Sequence, residues 1–416
     1  MSEMNLCRRN LLKAGAAAAA GIMASAAANA GIPAAKVEKY DEEYDVVIIG
    51  SGFAGMACAL KAGRAGKKVL MLEKMPVVGG NSAICGGNVA CPVNPVQKAQ
   101  GIKDSKELFI ADCLKDGLGI NHTNLLATIA DRCNDTIKMV VDCGCEFVPN
   151  KMLFEGGHSV PRSYEIKAGT GSGYIRPMHE ELKKLKNVVI RTRCKFDDFV
   201  MNEDGSVAGI VCRTGYRFNN KAVSDDLENK TGKKAVIRAT KGVMLAAGGF
   251  SRDIFFRQIQ DPRVVPTTDS TNQPGATSES WREVSRIGAR VIQADWIQCL
   301  PSCSPLEKGM GKATHFASIS GSLFGFWLSS LTGERFVNEF GDRKVCTDAI
   351  LTVINKGGHA LALSDSDGVA HLEKLRPGLF DQMIAEKTVV KYEDAEALAK
   401  AYEMDPEVLK KTIAQY

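Results

Sequence analysis

The chain has 416 residues, 45% hydrophobic and 24% charged, with 53 Lys and Arg against 48 Asp and Glu for a formal net charge of +5. That length accommodates two domains with a sizeable core, and the composition excludes bulk disorder. The mild positive balance, with no basic stripe interleaved with aromatics, argues against nucleic acid as a partner.

The first element is an address. Cys7-Arg8-Arg9-Asn10-Leu11-Leu12-Lys13 is a twin-arginine pattern, followed by an alanine-rich stretch and the A-x-A site Ala28-Asn29-Ala30. Residues 1–30 therefore read as a twin-arginine signal peptide, which exports folded proteins and suits one that loads a cofactor before leaving the cytoplasm. The stretch is weakly apolar and carries Lys13, so stable membrane insertion is not expected. The expected compartment is the periplasm.

The stretch from Asp45 to Lys74 organises the rest. An apolar run, Val46–Ile49, is short enough for a buried strand. It turns through Gly50-Ser51-Gly52-Phe53-Ala54-Gly55, continues as a helical pattern to about Arg64 and stops at Gly66; a second apolar strand, Val69–Leu72, ends in Glu73. The glycines provide a tight turn, close approach to a pyrophosphate and close helix–strand packing. The helix start offers free N–H groups and a positive dipole end to phosphate. Glu73, 23 positions after Gly50, stands where an acid accepts hydrogen bonds from ribose hydroxyls. This is a dinucleotide fingerprint, with Gly50, Gly52, Ala54, Gly55, Glu73 and Lys74 as candidate contacts.

Two more glycine pairs follow closely, Gly79-Gly80 leading into Asn81 and Ser82, and Gly86-Gly87. Such pairs are natural where backbone lies against a flat ring system or a diphosphate. They favour flavin adenine dinucleotide (FAD) over a nicotinamide cofactor. Residues 104–148 read as helices. A glycine-rich loop at 169–173 leads into another helix through His179–Leu182. Asn187–Arg191, Phe196–Val200 and Val207–Cys212 read as strands around the turn Asp204-Gly205. Residues 216–235 are polar and read as an exposed excursion before a short strand, Ala235–Arg238. Val243–Phe250 is a buried strand running into Gly248-Gly249, where the chain again passes a cofactor. From about Phe255 the β-branched runs thin out, and the aromatic cluster Phe324/Phe326/Trp327 appears. Near the end, Asp405-Pro406-Glu407 is a strong helix start, yet Tyr416 comes without a following element, as though a further segment were missing.

The 13 cysteines are scattered, with no CxxC or CxxCH, and the six histidines form no HExxH pair. Zinc, haem-attachment and GxSxG hydrolase signatures are thus lacking, and no metal ligands are assigned. Cys143 and Cys145 are two apart, as on one face of a strand, but a core-thiol reading is preferred.

From about residue 43 onward the chain resembles the soluble flavoprotein fumarate reductase family, the flavin domains of flavocytochromes c. The residues that carry the likeness are the Gly50–Gly55 turn, Glu73-Lys74, Gly79-Gly80-Asn81, Gly86-Gly87 and Ala247-Gly248-Gly249-Phe250. More specific are Ser270-Thr271-Asn272-Gln273-Pro274-Gly275-Ala276 and Gly333-Glu334-Arg335-Phe336-Val337-Asn338-Glu339. The resemblance implies an α/β fold, a Rossmann-like FAD-binding domain of glutathione-reductase type interrupted by a smaller α+β capping domain. We expect the FAD domain over residues 31–255, the capping domain over 256–385 and the start of a return to the FAD domain over 386–416.

The chemistry so implied is hydride transfer from reduced flavin to the β-carbon of an unsaturated carboxylate, with Arg343 delivering the proton to the other carbon. The bland alternative for Arg343 is a surface ion pair with Asp342 or Asp348. Gly248 and Glu279, the acid in Ser278-Glu279-Ser280, fall at cofactor positions; Leu300 and Ser318 fall at substrate positions. Where the family has a histidine on one substrate carboxylate, this chain has Leu300. The family's relay Glu and Arg fall at Ile319 and Ser322. An apolar group opposite a carboxylate would leave that charge unpaired, at a cost of about 1–3 kcal/mol, so a monocarboxylate such as acrylate or methacrylate is favoured over fumarate. No histidine sits between Pro76 and Gly87, where membrane-bound relatives attach flavin, so FAD is expected to be non-covalent. With no haem motif, a separate c-type cytochrome is the expected electron donor. Two other readings stay open: a flavin dehydrogenase or oxidase of related fold, and a non-catalytic or truncated flavoprotein.

Overall fold

A computed structural model describes residues 31–416 apart from Val223, so the export signal read at 1–30 lies outside the described residues. A seven-stranded sheet forms the larger body. Its strands in chain order are β1 (Ile32–Pro33), β2 (Glu42–Ile49), β3 (Val69–Leu72), β4 (Val188–Arg191), β5 (Cys194–Met201), β6 (Val207–Thr214) and β7 (Lys233–Leu245), and they lie side by side as β1-β5-β6-β7-β2-β3-β4. The β7-β2-β3-β4 portion is parallel, whereas β5, β6 and β7 form an antiparallel meander.

The apolar runs of β2 and β3 follow from burial on both faces, as parallel strands require. Ile48, Val69 and Met71 point to one face, against helices α1 (Phe53–Arg64) and α3 (Ser172–Lys183), which supply Met56, Leu60, Ile175, Met178 and Leu182. Val47, Ile49, Leu70 and Leu72 point to the other, where Phe196, Phe199, Ile210 and Ile237 of the meander pack. Cys143 and Cys145 belong to the first cluster. They are core thiols, as preferred, but Cys143 caps the helix Thr123–Asp142 rather than lying on a strand. A short helix α2 (Gly80–Ile84) and a small sheet (Val89–Ala90, Ser163–Ile166, Phe147–Leu153) flank the dinucleotide turn.

One expectation is corrected here and a second is refined. Ala235–Arg238 and Val243–Leu245 are one long strand, β7, which stays parallel to β2 through a register shift between Ala239 and Gly242. The polar excursion 216–232 is largely exposed, as read, but it is also pinned: Tyr216, Asp225 and Asn229 are buried, the Tyr216 hydroxyl donates to Asp225, and Asn229 Nδ2 donates to Asp225 at 2.6 Å. A few of its polar side chains pair with one another and anchor the segment while the rest face solvent.

Beyond α4 (Glu279–Arg286) a smaller body is built on a three-stranded antiparallel sheet. Its strands are β8 (Gly325–Ser329), β9 (Glu334–Arg335) and β10 (Ala360–Ser364), with α5 (Arg343–Asn355) between the last two. The buried Glu339 carboxylate accepts from Trp327 N at 2.6 Å and Arg335 Nε at 3.0 Å, which fixes the turn leading into α5. Residues 386–416, expected to begin a return to the first body, instead place Leu398, Met404 and Leu409 against Phe326 and Leu328 of this sheet. The helix start at Asp405 forms as read, its carboxylate accepting from Glu407 N and Val408 N. Among the described residues, no helix is long and apolar enough to cross a membrane.

Candidate functional site

The turn between β2 and α1 is close-packed on its protein side. Gly50 has φ +102°, and a Cβ there would lie 2.4 Å from the Ala246 carbonyl oxygen; at Gly55 it would lie 2.0 Å from the Gly50 carbonyl oxygen. No side chain fits either place. Gly52 caps α1, with Ala54 exposed beside it, and the first helical N–H, that of Phe53, donates to Ser82 Oγ at 3.1 Å.

Ser51, which the sequence reading passed over, is the hub. Its hydroxyl donates to Glu73 at 2.5 Å and accepts from Gly79 N at 2.9 Å, joining the turn, the end of β3 and the second glycine pair. Glu73 is buried and accepts also from Ser51 N and Met75 N. A carboxylate has about four acceptor sites, so Glu73 keeps room for a ribose hydroxyl. The signal for Ser51 was available: a hydroxyl between two fingerprint glycines.

The other glycines divide into two kinds. At Gly80, Gly86, Gly248 and Gly249 no atom of the described residues lies within 4 Å of where a Cβ would stand. Gly87, also expected to pass the cofactor, is in addition required by packing, since a Cβ would meet Ile166 Cγ2 at 2.6 Å and Gly171 N at 3.0 Å; its carbonyl accepts from Tyr174. Asn81 Oδ1 accepts from Gln273 N at 2.8 Å, tying the Ser270–Ala276 stretch to this region. The open glycines, the free capacity of Glu73 and the start of α1 make a cradle with backbone bare on one side. These residues fit a flavin dinucleotide.

Lys74 and Glu279, expected at the cofactor, bind each other. Lys74 Nζ lies 2.9 Å from Glu279 Oε1, 2.6 Å from Thr277 Oγ1 and 3.5 Å from Asp226 of the pinned excursion. Burial pushes the Glu279 carboxyl up, but the Lys74 and Lys195 charges outweigh it and hold it at about 2. Asp226, buried and beside the Glu279 charge, is raised to about 6. Glu279 thus takes the larger share of the Lys74 charge.

Arg343 opens α5, whose N-cap is Asp342, and is exposed on a cavity of about 270 Å³ between the two bodies. The alternative, an ion pair with Asp342 or Asp348, does not form among the described residues. Asp348 is held by Lys344 at 2.7 Å and Arg263 at 3.0 Å, Asp261 by Arg263 at 2.9 Å, and Asp342 by the Lys344 N–H. Arg343 has no ion pair among the described residues. Asp116, from the larger body, also lines the cavity, as do Trp296, Gln298 and Cys299. Lys344 Nζ stands 5.5 Å over the Trp296 ring. Leu300, next to Cys299, is half-buried and outside the lining, and Ser318 turns its hydroxyl to Thr314 O at 2.7 Å. Ser302 and Thr314, hydroxyls 2.8 Å apart, join the two segments.

The FAD binding domain family model matches residues 45–416. The acrylate reductase flavoprotein subunit of Shewanella woodyi is 38% identical over 422 residues, covering 100% of this chain and 80% of that protein. The urocanate reductase of Eggerthella lenta and the fumarate reductase (cytochrome) of Shewanella frigidimarina are each 28% identical over 90% and 89% of this chain; the chain spans 59% and 60% of their lengths. The open conformation of a flavocytochrome c3 fumarate reductase has the same fold, with a TM-score of 0.67 and 24% identity over 91% of this chain and 61% of that one. So does a 3-ketosteroid-Δ4-(5α)-dehydrogenase from Rhodococcus jostii, with a TM-score of 0.71 and 21% identity over 93% of this chain and 79% of that one.

Proposed function

Because the chain belongs to the FAD binding domain family of oxidoreductases, alongside flavoproteins that reduce acrylate, urocanate and fumarate, we propose that it reduces the C=C bond of an α,β-unsaturated monocarboxylate. The observation that carries this reading is Arg343, a cation without a carboxylate partner, facing a cavity whose neighbouring acids Asp261 and Asp348 are already paired.

FAD, when bound and reduced, supplies the hydride. The Gly50–Gly55 turn and the α1 N-terminus would hold its diphosphate, Glu73 its ribose, and the bare backbone at Gly80, Gly86 and Gly248 its flat ring. Nothing in residues 76–87 offers a histidine for attachment, which supports non-covalent binding. Arg343 holds the proton on a guanidinium nitrogen and gives it to the substrate's α-carbon as the β-carbon is reduced. An arginine is nearly always protonated, so this donor needs reprotonation between turnovers and a desolvated substrate. Leu300, outside the cavity lining, occupies by family resemblance the place of a carboxylate-binding histidine, and the loss of that donor supports acrylate or methacrylate over fumarate. The sequence of residues 1–30 supports export to the periplasm, and a separate c-type cytochrome is the proposed electron donor.

The test is reduced-viologen oxidation by holoprotein with acrylate, methacrylate and fumarate in turn. Turnover of the monocarboxylates well above fumarate is expected. Equal rates would remove the substrate preference, and no turnover of any enoate would remove the reductase reading.

A further inference from the structure

The larger body holds two thiols in contact that the chemistry above does not use. Cys91, Cys133 and Tyr164 form a small buried cluster of their own, with Phe147 and Met152 packed against it. Cys91 follows the strand Val89–Ala90, four residues beyond Gly87, and its N–H donates to Arg162 O at 3.0 Å. Cys133 lies in the middle of the helix Thr123–Asp142. Beside the thiols the two segments are joined through the next residue of each, Asn134 Nδ2 donating to Pro92 O at 3.2 Å. The Cys91 thiol donates to Cys133 Sγ.

The two sulfurs are not equivalent. That of Cys133 accepts from the Cys91 thiol and also from Asn134 Nδ2 at 4.0 Å. Donors aimed at a sulfur favour its thiolate, the reactive form. The Cys91 hydrogen bond is the main cause that lowers the Cys133 pKa against burial, and the same bond, followed by burial, pushes Cys91 up. Cys133 keeps 8% of its surface exposed and Cys91 none. The sulfur that ionises first is therefore the one that solvent reaches, with a protonated partner directly behind it. An attacking thiol and its resolving partner require that arrangement. Other cysteines lack one half of it. Cys85 is exposed, but its thiol donates to Ser82 O at 3.3 Å. Cys194 and Cys212 are hydrogen-bonded to each other, yet they are 1% and 0% exposed in the core of the sheet.

We propose that Cys91 and Cys133 are an oxidation site for hydrogen peroxide, where the two thiols close to a reversible disulfide. The Cys133 thiolate attacks one peroxide oxygen and the O–O bond breaks. Hydroxide leaves, takes up a proton to become water, and Cys133 is left as a sulfenic acid. The Cys91 sulfur then attacks Cys133 Sγ, the S–O bond breaks, and the second water departs with the Cys91 proton. Two thiols and one peroxide thus give one disulfide and two waters. The new bond ties the helix Thr123–Asp142 to the segment that leaves Gly87, on the flank of the dinucleotide cradle.

The test treats holoprotein with one equivalent of hydrogen peroxide at neutral pH, blocks the remaining thiols with iodoacetamide and maps unreduced peptides by mass spectrometry. A Cys91–Cys133 linked peptide should form about tenfold faster than exposed Cys85 is oxidised, and dithiothreitol should reverse it. Cys91→Ser should leave Cys133 as a sulfenic acid that dimedone captures, and Cys133→Ser should leave Cys91 unoxidised. Oxidation of Cys85 without a Cys91–Cys133 link overturns the proposal even if neither variant folds. So does a Cys91 that is oxidised as fast in Cys133→Ser as in the parent. The readout involves no enoate, so it stands or falls separately from the reductase reading.

Discussion

The dinucleotide turn and the Arg343 cavity are built on opposite principles. The turn is continuous in sequence, and its tolerances are fixed by backbone atoms: Gly55 has the Gly50 carbonyl oxygen 2.0 Å from where a Cβ would stand. The cavity gathers Asp116, Asp261, Gln298–Cys299 and Arg343 from four separate segments, and what defines it is charge rather than contact. A site made of backbone geometry fails by steric insult. A site made of balanced charges fails by a change of pairing, with the fold intact.

The sharpest test of that contrast is Arg343→Ala. Arg343 is exposed and unpaired, so the melting temperature and FAD content should stay within error while enoate reduction falls by about 10³-fold or more. Stopped-flow flavin reoxidation measures the loss, and a variant as fast as its parent would sever Arg343 from the chemistry.

Gly55→Ala is the converse. A methyl at that position has nowhere to go, so about 3 kcal/mol of stability should be lost, read as a fall in melting temperature with loss of bound flavin. Gly248→Ala separates the cradle from the turn. No atom of the described residues lies within 4 Å of its Cβ position, so the apoprotein should lose only about 1 kcal/mol for the left-handed backbone. FAD affinity, followed by quenching of flavin fluorescence, should still fall about tenfold as the methyl enters the open face.

Glu279→Gln probes a region where charge and packing are combined. It breaks a buried pair with Lys74 and should cost about 3 kcal/mol at neutral pH. The sign follows from the depressed carboxyl: its folded value near 2 lies below the ordinary 4.5. Its stabilisation is therefore complete above about 4.5 and is lost as pH falls through about 2. Denaturant melts between pH 2 and 7 should show this acid limb in the wild type and a flattened one in the variant. Asp226, raised to about 6, acts in the opposite sense. Its contribution is present below about 3.8 and is lost as pH rises through 6, so Asp226→Asn should flatten the decline between pH 4 and 6.

The smallest effect is expected from Leu300→His, which should move the ratio of fumarate to methacrylate turnover about tenfold toward fumarate without changing stability. An unchanged ratio would remove Leu300 from the specificity argument.

Much of the scaffold was legible because the forces that make it are local. Val46–Ile49 and Val69–Leu72 are apolar at every position, and only a strand covered on both faces accommodates such a run. Gly55 admits no side chain because the Gly50 carbonyl, five residues back, occupies the space, whereas the crowding at Gly50 comes from Ala246 on a distant strand end and only its left-handed backbone is local. The helix start at Asp405-Pro406 follows from capping chemistry within one turn. Family likeness placed Arg343 at a site, but its own neighbours in sequence, Asp342 and Asp348, pointed to an ion pair.

What the sequence determined by itself was where the backbone must turn and which strands must be buried, since those depend on the residue and its nearest neighbours. Only the tertiary structure decided which charges find partners. It gave Asp348 to Lys344 and Arg263 and left Arg343 without an ion pair among the described residues. It brought Asp226 of the polar excursion to Lys74. It also buried Arg257 with no carboxylate in ion-pair contact among the described residues. Coulomb attraction reaches across any separation in sequence and is settled by distance and burial alone, and neither can be read from the order of residues along the chain.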